Sequence, residues 1–203
     1  IGSAFHGWGG LFYECNRRGF TGSLPGTAKR YFIMNAELVE TEAARREIMK
    51  RYFTHYGPAS IDDFLAFTGH KKTEVKELLK EKVLEMTEVE CEGKKLYVQG
   101  EMPENGKIPK CLFLAGFDQM IMGYKDRTSI LRDEWKRSLI TVSGIVLPPL
   151  MLDGNIVGRW KKDKKVMEVL LFGKIGKAKV QLIERSVSKE FPDVEKCLVH
   201  EQI

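Results

Sequence analysis

The sequence predicts an α+β protein: a winged helix-turn-helix, preceded by a second, partial winged helix and followed by a small C-terminal β-barrel-like domain. Three observations predict it. Apolar residues recur at helical spacing in three successive stretches between residues 42 and 83, and a β-type hairpin pattern follows them. Beyond Pro103, short apolar runs are separated by Gly and Pro, the texture of a small β-rich domain. The expected boundaries are 1–39 for the partial winged helix, 40–101 for the winged helix and 102–203 for the β-rich domain.

In the first forty residues a helix-like piece ends at Arg17-Arg18-Gly19, and Phe20–Ser23 and Arg30–Met34 flank a Pro25-Gly26 turn. That is the back half of a winged helix. From Glu42 to Tyr56, Ala44, Ile48, Tyr52 and Tyr56 form an apolar stripe widened by Met49 and Phe53, and Gly57-Pro58 stops the helix. Ser60 is an N-cap with Asp63 in the first turn, and Ile61, Phe64, Leu65 and Thr68 carry a short second helix to Gly69. A third helix is expected from about Lys72 to Lys82, with Val75, Leu78, Leu79 and Val83 buried. Met86–Gln99 then reads as two β-type runs around Glu92-Gly93. Strands are expected over Cys111–Ala115, Ile140–Val142, Ile145–Leu147, Leu150–Leu152, Val166–Phe172 and Lys179–Ile183, with a turn at Asp153-Gly154-Asn155 and a closing helix over Glu184–Phe191.

Composition narrows the function. A chain of 203 residues that is 43% hydrophobic and 30% charged can bury a core, which argues against disorder. No apolar run approaches the ~18 residues of a membrane span, and no basic-then-apolar leader opens the chain, so a cytoplasmic protein without a membrane partner is expected. Cys15, Cys91, Cys111 and Cys197 lie far apart with no CxxC pair, and Cys197 with His200 supplies only two ligands. No metal and no small-molecule cofactor are therefore expected, and reduced thiols are. The net charge of +5 is unevenly placed: residues 40–101 hold eleven Lys/Arg against thirteen Asp/Glu, while 156–179 holds eight Lys/Arg against Asp163 and Glu168.

The strings RYFTHYGPASIDDFLAFTG (51–69), AGFDQMIMGYKDRTSIL (115–131) and SGIVLPPLMLDGNIVGRW (143–160) together resemble the tandem winged-helix DNA glycosylases of the crosslink-unhooking, azinomycin-resistance type. The resemblance covers about 41–185 well and the first forty residues loosely. It implies a basic surface of successive winged helices, closed by a C-terminal β-barrel, on which double-stranded DNA lies. It implies hydrolysis of N-glycosidic bonds of alkylated or crosslinked purines by a Gln-x-Gln or Gln-x-Asp pair in a leading winged helix. Here the glutamines are Gln99, Gln119, Gln181 and Gln202, and none has Gln or Asp two residues on. The leading winged helix is expected to lie outside this chain, and the chain alone is not expected to act as a glycosylase.

Candidate site residues follow. By resemblance, Asp118, Tyr124, Asp126, Arg127, Arg159 and Trp160 lie at the family's cleft. Asp118 and Asp126 are the candidate catalytic carboxylates, able to orient water or steady an oxocarbenium-like centre. The competing structural reading has both capping turns and pairing with Arg127. DNA-phosphate candidates are Arg17, Arg18, Lys29 and Arg30 around the first hairpin, Lys71 and Lys72 at the start of the third helix, and Lys94 and Lys95 at the wing. Glu74, Glu77, Glu81 and Glu85 interleave with Lys76, Lys80 and Lys82, which resembles a salt-bridged solvent face more than a groove-reading helix. GRWKKDKKV (158–166) and GKIGKAK (173–179) are the densest basic stretches. The second lacks Walker A spacing, and protective lysines on solvated strand edges are the plain reading of both. Trp160 reads as core. The expected function is a DNA-binding protein contacting duplex mainly through phosphates. Its rivals are the C-terminal part of an active glycosylase, an operator-reading regulator, and an interaction scaffold.

Overall fold

The computed structural model describes residues 8–24, 30–34, 36–37, 39–83, 85–102 and 106–201. The chain divides into two compact units, Ile1–Ile48 and Met49–Ile203. In the first, helix α1 (Trp8–Arg17) ends where Gly19 takes φ 74°, a left-handed conformation that glycine adopts without strain. Strands β1 (Thr21–Leu24) and β2 (Arg30–Ile33) then pair antiparallel, with Thr21 opposite Ile33 and Leu24 opposite Arg30. The expected Pro25-Gly26 turn lies outside the described residues. Helix α2 (Thr41–His55) begins in this unit, capped by the Glu40 carboxylate, which accepts from the backbone N–H groups of Glu42 and Ala43 at 2.9 and 2.8 Å.

The second unit opens with the buried end of α2. There Met49, Tyr52 and Phe53 meet Phe64 of α3 (Ile61–Thr68) and Leu78 and Leu79 of α4 (Lys76–Val83) in one core. Local signals set these elements. Ser60 and Asp63 form a complete capping box, and Gly69 closes α3 with φ 72°. Strands β3 (Thr87–Cys91) and β4 (Lys94–Val98) turn through Glu92 (φ 51°) and Gly93 (φ 72°), the two positive dihedrals that a tight hairpin matched to strand twist requires. α4 starts at Lys76, later than expected: residues 72–74 form a turn, held by the Glu74 carboxylate, which accepts the Lys71 N–H at 2.7 Å.

Beyond residue 106, β5 (Cys111–Phe113), β6 (Pro149–Leu152), β7 (Asn155–Asp163), β8 (Val166–Leu171) and β9 (Lys196–Glu201) form one sheet in that order. Its pairs are antiparallel except β8 with β9, which run parallel after the crossover helix α7 (Lys177–Glu190). Two cores flank it. Ile183 and Val187 of α7 pack on Leu150, Leu152, Met167, Val169 and Leu171. The opposite face packs Met151, Ile156 and Phe172 against Ile121, Leu131 and Leu139, from the segment holding α5 (Gln119–Met122), a 3-10 turn (Asp133–Trp135) and α6 (Lys136–Leu139).

Three sequence expectations change here. Lys179–Ile183 is helical, because Ile183 and Val187 recur at i and i+4 and face the sheet. Ile140–Val142 and Ile145–Leu147 share a single bridge, Ile140 to Val146, because Thr141 and Gly144 (φ 81°) close a turn between them. The sheet is open, with β5 and β9 as its edges among the described residues, where curling or closure was expected. A covering helix and an irregular layer bury its two faces, so closure is not needed to build the core.

Candidate functional site

Several candidate residues converge on a seam within the second unit, where the segment 118–128 meets α2, α3 and the β3–β4 hairpin. Asp63 organises it. This is the buried charged residue of the described chain, 5% exposed. One carboxylate oxygen accepts the Ser60 N–H at 3.0 Å and the Ser60 hydroxyl at 2.7 Å; the other accepts the N–H groups of Lys125 at 2.8 Å and Asp126 at 3.0 Å. A capping residue thus also fixes a loop more than sixty residues away in sequence. Sequence reading gave Asp63 only its helix-dipole role, since nothing local signals the distant partners.

Tyrosines complete the seam. The Tyr52 hydroxyl donates to the Gly123 carbonyl at 2.8 Å, and Tyr56 to the Gln119 side chain at 3.1 Å. Tyr124 donates to the Tyr56 carbonyl at 2.8 Å and lies edge-on to the Tyr56 ring. Burial pushes the Tyr52 phenol far above its ordinary pKa, with the Asp63 charge adding to it, and raises Tyr124 for the same two reasons. Both remain neutral donors at physiological pH. Gly123 is required for the approach: a Cβ there would lie 2.6 Å from the Tyr56 ring.

The two candidate carboxylates act locally. Asp118 caps α5, accepting the Met120 N–H at 2.9 Å. Asp126 accepts from the Lys94 ammonium and from the N–H and hydroxyl of Thr128 at 2.9 and 2.7 Å. Those bonds, led by Lys94, hold the Asp126 carboxyl well below the usual carboxylate range and raise the Lys94 ammonium. Asp126 is therefore a persistent anion, unsuited to take up or deliver a proton near neutral pH. The expected pairing with Arg127 is not formed: its Nε donates to the Ile121 carbonyl, because the turn at 127–131 aims the guanidinium back at α5. A cavity of about 260 Å³, lined in part by Ser60, Asp63, Lys94, Tyr124 and Asp126, lies over this network.

The remaining candidates lie elsewhere. Lys95 pairs across the hairpin with Glu88 at 2.8 Å, and Lys71 and Lys72 are exposed in the turn ahead of α4. On α4, Lys80 pairs with Glu77 at 3.1 Å. In the first unit Arg18 is bound to Glu14 at 2.7 Å and Arg30 is exposed at the start of β2, while Lys29 and the Arg17 side chain lie outside the described residues. Arg159 and Trp160 sit on β7, whose pairing with β6 ends at Pro149–Arg159, so that Lys161 and Lys162 lie on a stretch paired only with β8. Trp160 packs with Phe113 and Phe191 and donates its Nε1–H to the Leu114 carbonyl at 2.9 Å. Among the described residues no three His, Cys, Asp or Glu side chains are placed to hold a metal, and no helix is long and apolar enough to cross a membrane.

The fold has counterparts among known proteins. The chain is 27% identical over 192 residues to an interstrand DNA cross-link repair glycosylase of Streptomyces sahachiroi, covering 89% of this chain and 51% of that protein. It thus spans about half the length of that curated relative. The solved structure of the S. sahachiroi DNA glycosylase AlkZ superposes with a TM-score of 0.80 at 23% identity, over 97% of this chain and 58% of that one, which establishes a shared fold. The pattern of the DNA glycosylase AlkZ-like family matches residues 4–195, nearly the whole chain, and the protein belongs to that family.

Proposed function

We propose that this chain is a DNA-binding part of an AlkZ-like repair protein, contacting double-stranded DNA mainly through phosphates. Its organisation is a partial winged helix over 1–39, a winged helix over 40–101 and a β-rich domain over 102–203. The observation that carries the reading is the state of the family-motif carboxylates: Asp118 caps a helix and Asp126 is bound by Lys94 and Thr128. Both are engaged in local hydrogen bonds, so we read the segment as a braced surface rather than as the chemical centre. The missing Gln-x-Gln or Gln-x-Asp pair agrees. Phosphate contact falls to Arg17, Arg18, Lys29 and Arg30, with Lys71, Lys72 and Lys95 as secondary contacts. Lys94 contributes only when phosphate displaces Asp126. The glutamates of α4 oppose deep groove entry, which disfavours a regulator.

An assay on duplex carrying N7-alkylguanine tests this: the chain alone should give no abasic product above background. Clear turnover would overturn the reading and return attention to Asp118 and Asp126. Activity of the intact relatives' kind would instead require residues outside this chain.

A further inference from the structure

A cavity of about 670 Å³ lies along β7 and β8: Arg159, Leu170 and His200 line it from the sheet face turned away from α7, and Trp160, Val169 and Phe191 of the α7 core also border it. Its chemistry follows from register. Arg159 pairs with Leu170 and Leu170 with His200, while Lys161 pairs with Glu168. Directly paired residues, and residues two apart along a strand, share a face. Arg159, Lys161, Leu170 and His200 therefore stand together, and the neighbours Trp160 and Val169 go to the α7 core. A β-bulge between β6 and β7 produces this arrangement. The pairing steps from Met151–Ile156 to Leu150–Gly158, so Val157 is the extra residue. Without that shift of alternation Arg159 would enter the α7 core and Trp160 the open face.

The bulge leaves a cation in a shaped place. Arg159 is half-buried and makes no ion pair among the described residues; Lys161 is exposed and likewise unpaired. Lys162, by contrast, is bound to Asp193, and Glu168 is the one carboxylate lining the cavity. A half-buried guanidinium with no ion-pair partner favours an anion, and its planar fork suits phosphate. Leu147, Pro148 and Leu170 supply an apolar wall, and His200 a ring nitrogen. The volume lies within the range of small-ligand pockets.

We infer that this cavity binds a single nucleotide, with the heteroaromatic base on the Leu147–Pro148–Leu170 wall and the phosphate at Arg159 and Lys161. The nucleotide can come from an unpaired position in a DNA strand, which deepens the DNA-binding reading above and rests on it, or from a free nucleoside monophosphate.

NMR titration of the full chain tests it, using 5′-dGMP, deoxyguanosine and inorganic phosphate as separate probes. The amides of Arg159, Leu170 and His200 should shift with 5′-dGMP, with at least about tenfold tighter binding than either fragment. Arg159→Gln should weaken binding about tenfold and Arg159→Lys should restore part of it. Leu170→Trp should fill the cavity and abolish binding. Each variant's thermal unfolding checks that it folds, and Arg159→Gln stands alone if Leu170→Trp does not. No shift at millimolar 5′-dGMP, or equal binding of phosphate alone, would overturn the inference. In a second arm, a duplex with one unpaired nucleotide should bind more tightly than a blunt one, and Leu170→Trp should erase only that difference. Binding of 5′-dGMP with no binding of either duplex would leave the pocket standing and refute the DNA reading.

Discussion

Two polar regions of the second unit contain similar side chains and dispose of them in opposite ways. In the seam around Asp63, charge is closed on itself: Asp63 holds two backbone amides and its own cap, Lys94 meets Asp126, and Lys95 meets Glu88. On the open face of the C-terminal sheet, Arg159 and Lys161 make no ion pair among the described residues, although Glu168 stands opposite Lys161. The first arrangement braces; the second waits for an anion. Counting lysines and arginines along the sequence does not separate the two, because what matters for a ligand is the charge the fold leaves unneutralised.

The contrast can be broken by mutation, most severely at Asp63. Asp63→Ala would strand four buried or half-buried donors, and should cost about 3–4 kcal/mol, read as a fall in urea midpoint at unchanged slope. A loss below ~1 kcal/mol would mean that the seam does not brace the loop. Next comes Gly123→Ala, whose Cβ would press on the Tyr56 ring. Displacing that stacked and hydrogen-bonded tyrosine should cost about 1–3 kcal/mol in thermal or urea unfolding.

A smaller effect is expected at Asp126. Its carboxyl is held below its unfolded pKa of about 3.9. Its stabilising contribution is therefore present above about pH 4 and is lost as pH falls through the depressed value. Lys94 and Asp126 are about half exposed, 51% and 44%, so solvent limits the gain to below ~1 kcal/mol. Asp126→Asn should remove that amount at pH 7 and flatten the acid limb of stability against pH; an unchanged acid limb would contradict the pairing. The smallest effect belongs to the open face. Arg159→Gln should leave stability within ~0.5 kcal/mol, since no partner is lost. A large destabilisation would show Arg159 to be structural and collapse the comparison.

What the sequence made legible was local. The capping box at Ser60 and Asp63, the stop at Gly69 and the turn at Glu92-Gly93 are written within a few residues of where they act. Non-local features escaped: the bonds from Asp63 to Lys125 and Asp126, the donation of Arg127 to Ile121, and the bulge at Val157. Lys179–Ile183 misled because its β-branched residues also lie at helical spacing, and the Gly176 N-cap with the sheet beneath decides for the helix. The candidate cleft motif was found by resemblance, whereas its chemical state required knowing that Lys94 reaches Asp126. Lys161 and His200, which complete the open face, are far apart in sequence and come to one sheet face on either side of β8.

The proposed hold of this chain on DNA is through phosphates. The most direct measurement is the dissociation constant for two unrelated blunt duplexes across a salt series, repeated for the charge reversals Arg18→Glu and Arg30→Glu and for Lys76→Glu and Lys80→Glu. The two duplexes should bind alike and weaken steeply with salt, and the first pair of reversals should weaken binding more, with the log–log slope shallower by about one unit per lost contact. A strong preference for one duplex, a larger effect from the α4 lysines, or no binding even at low salt would contradict it.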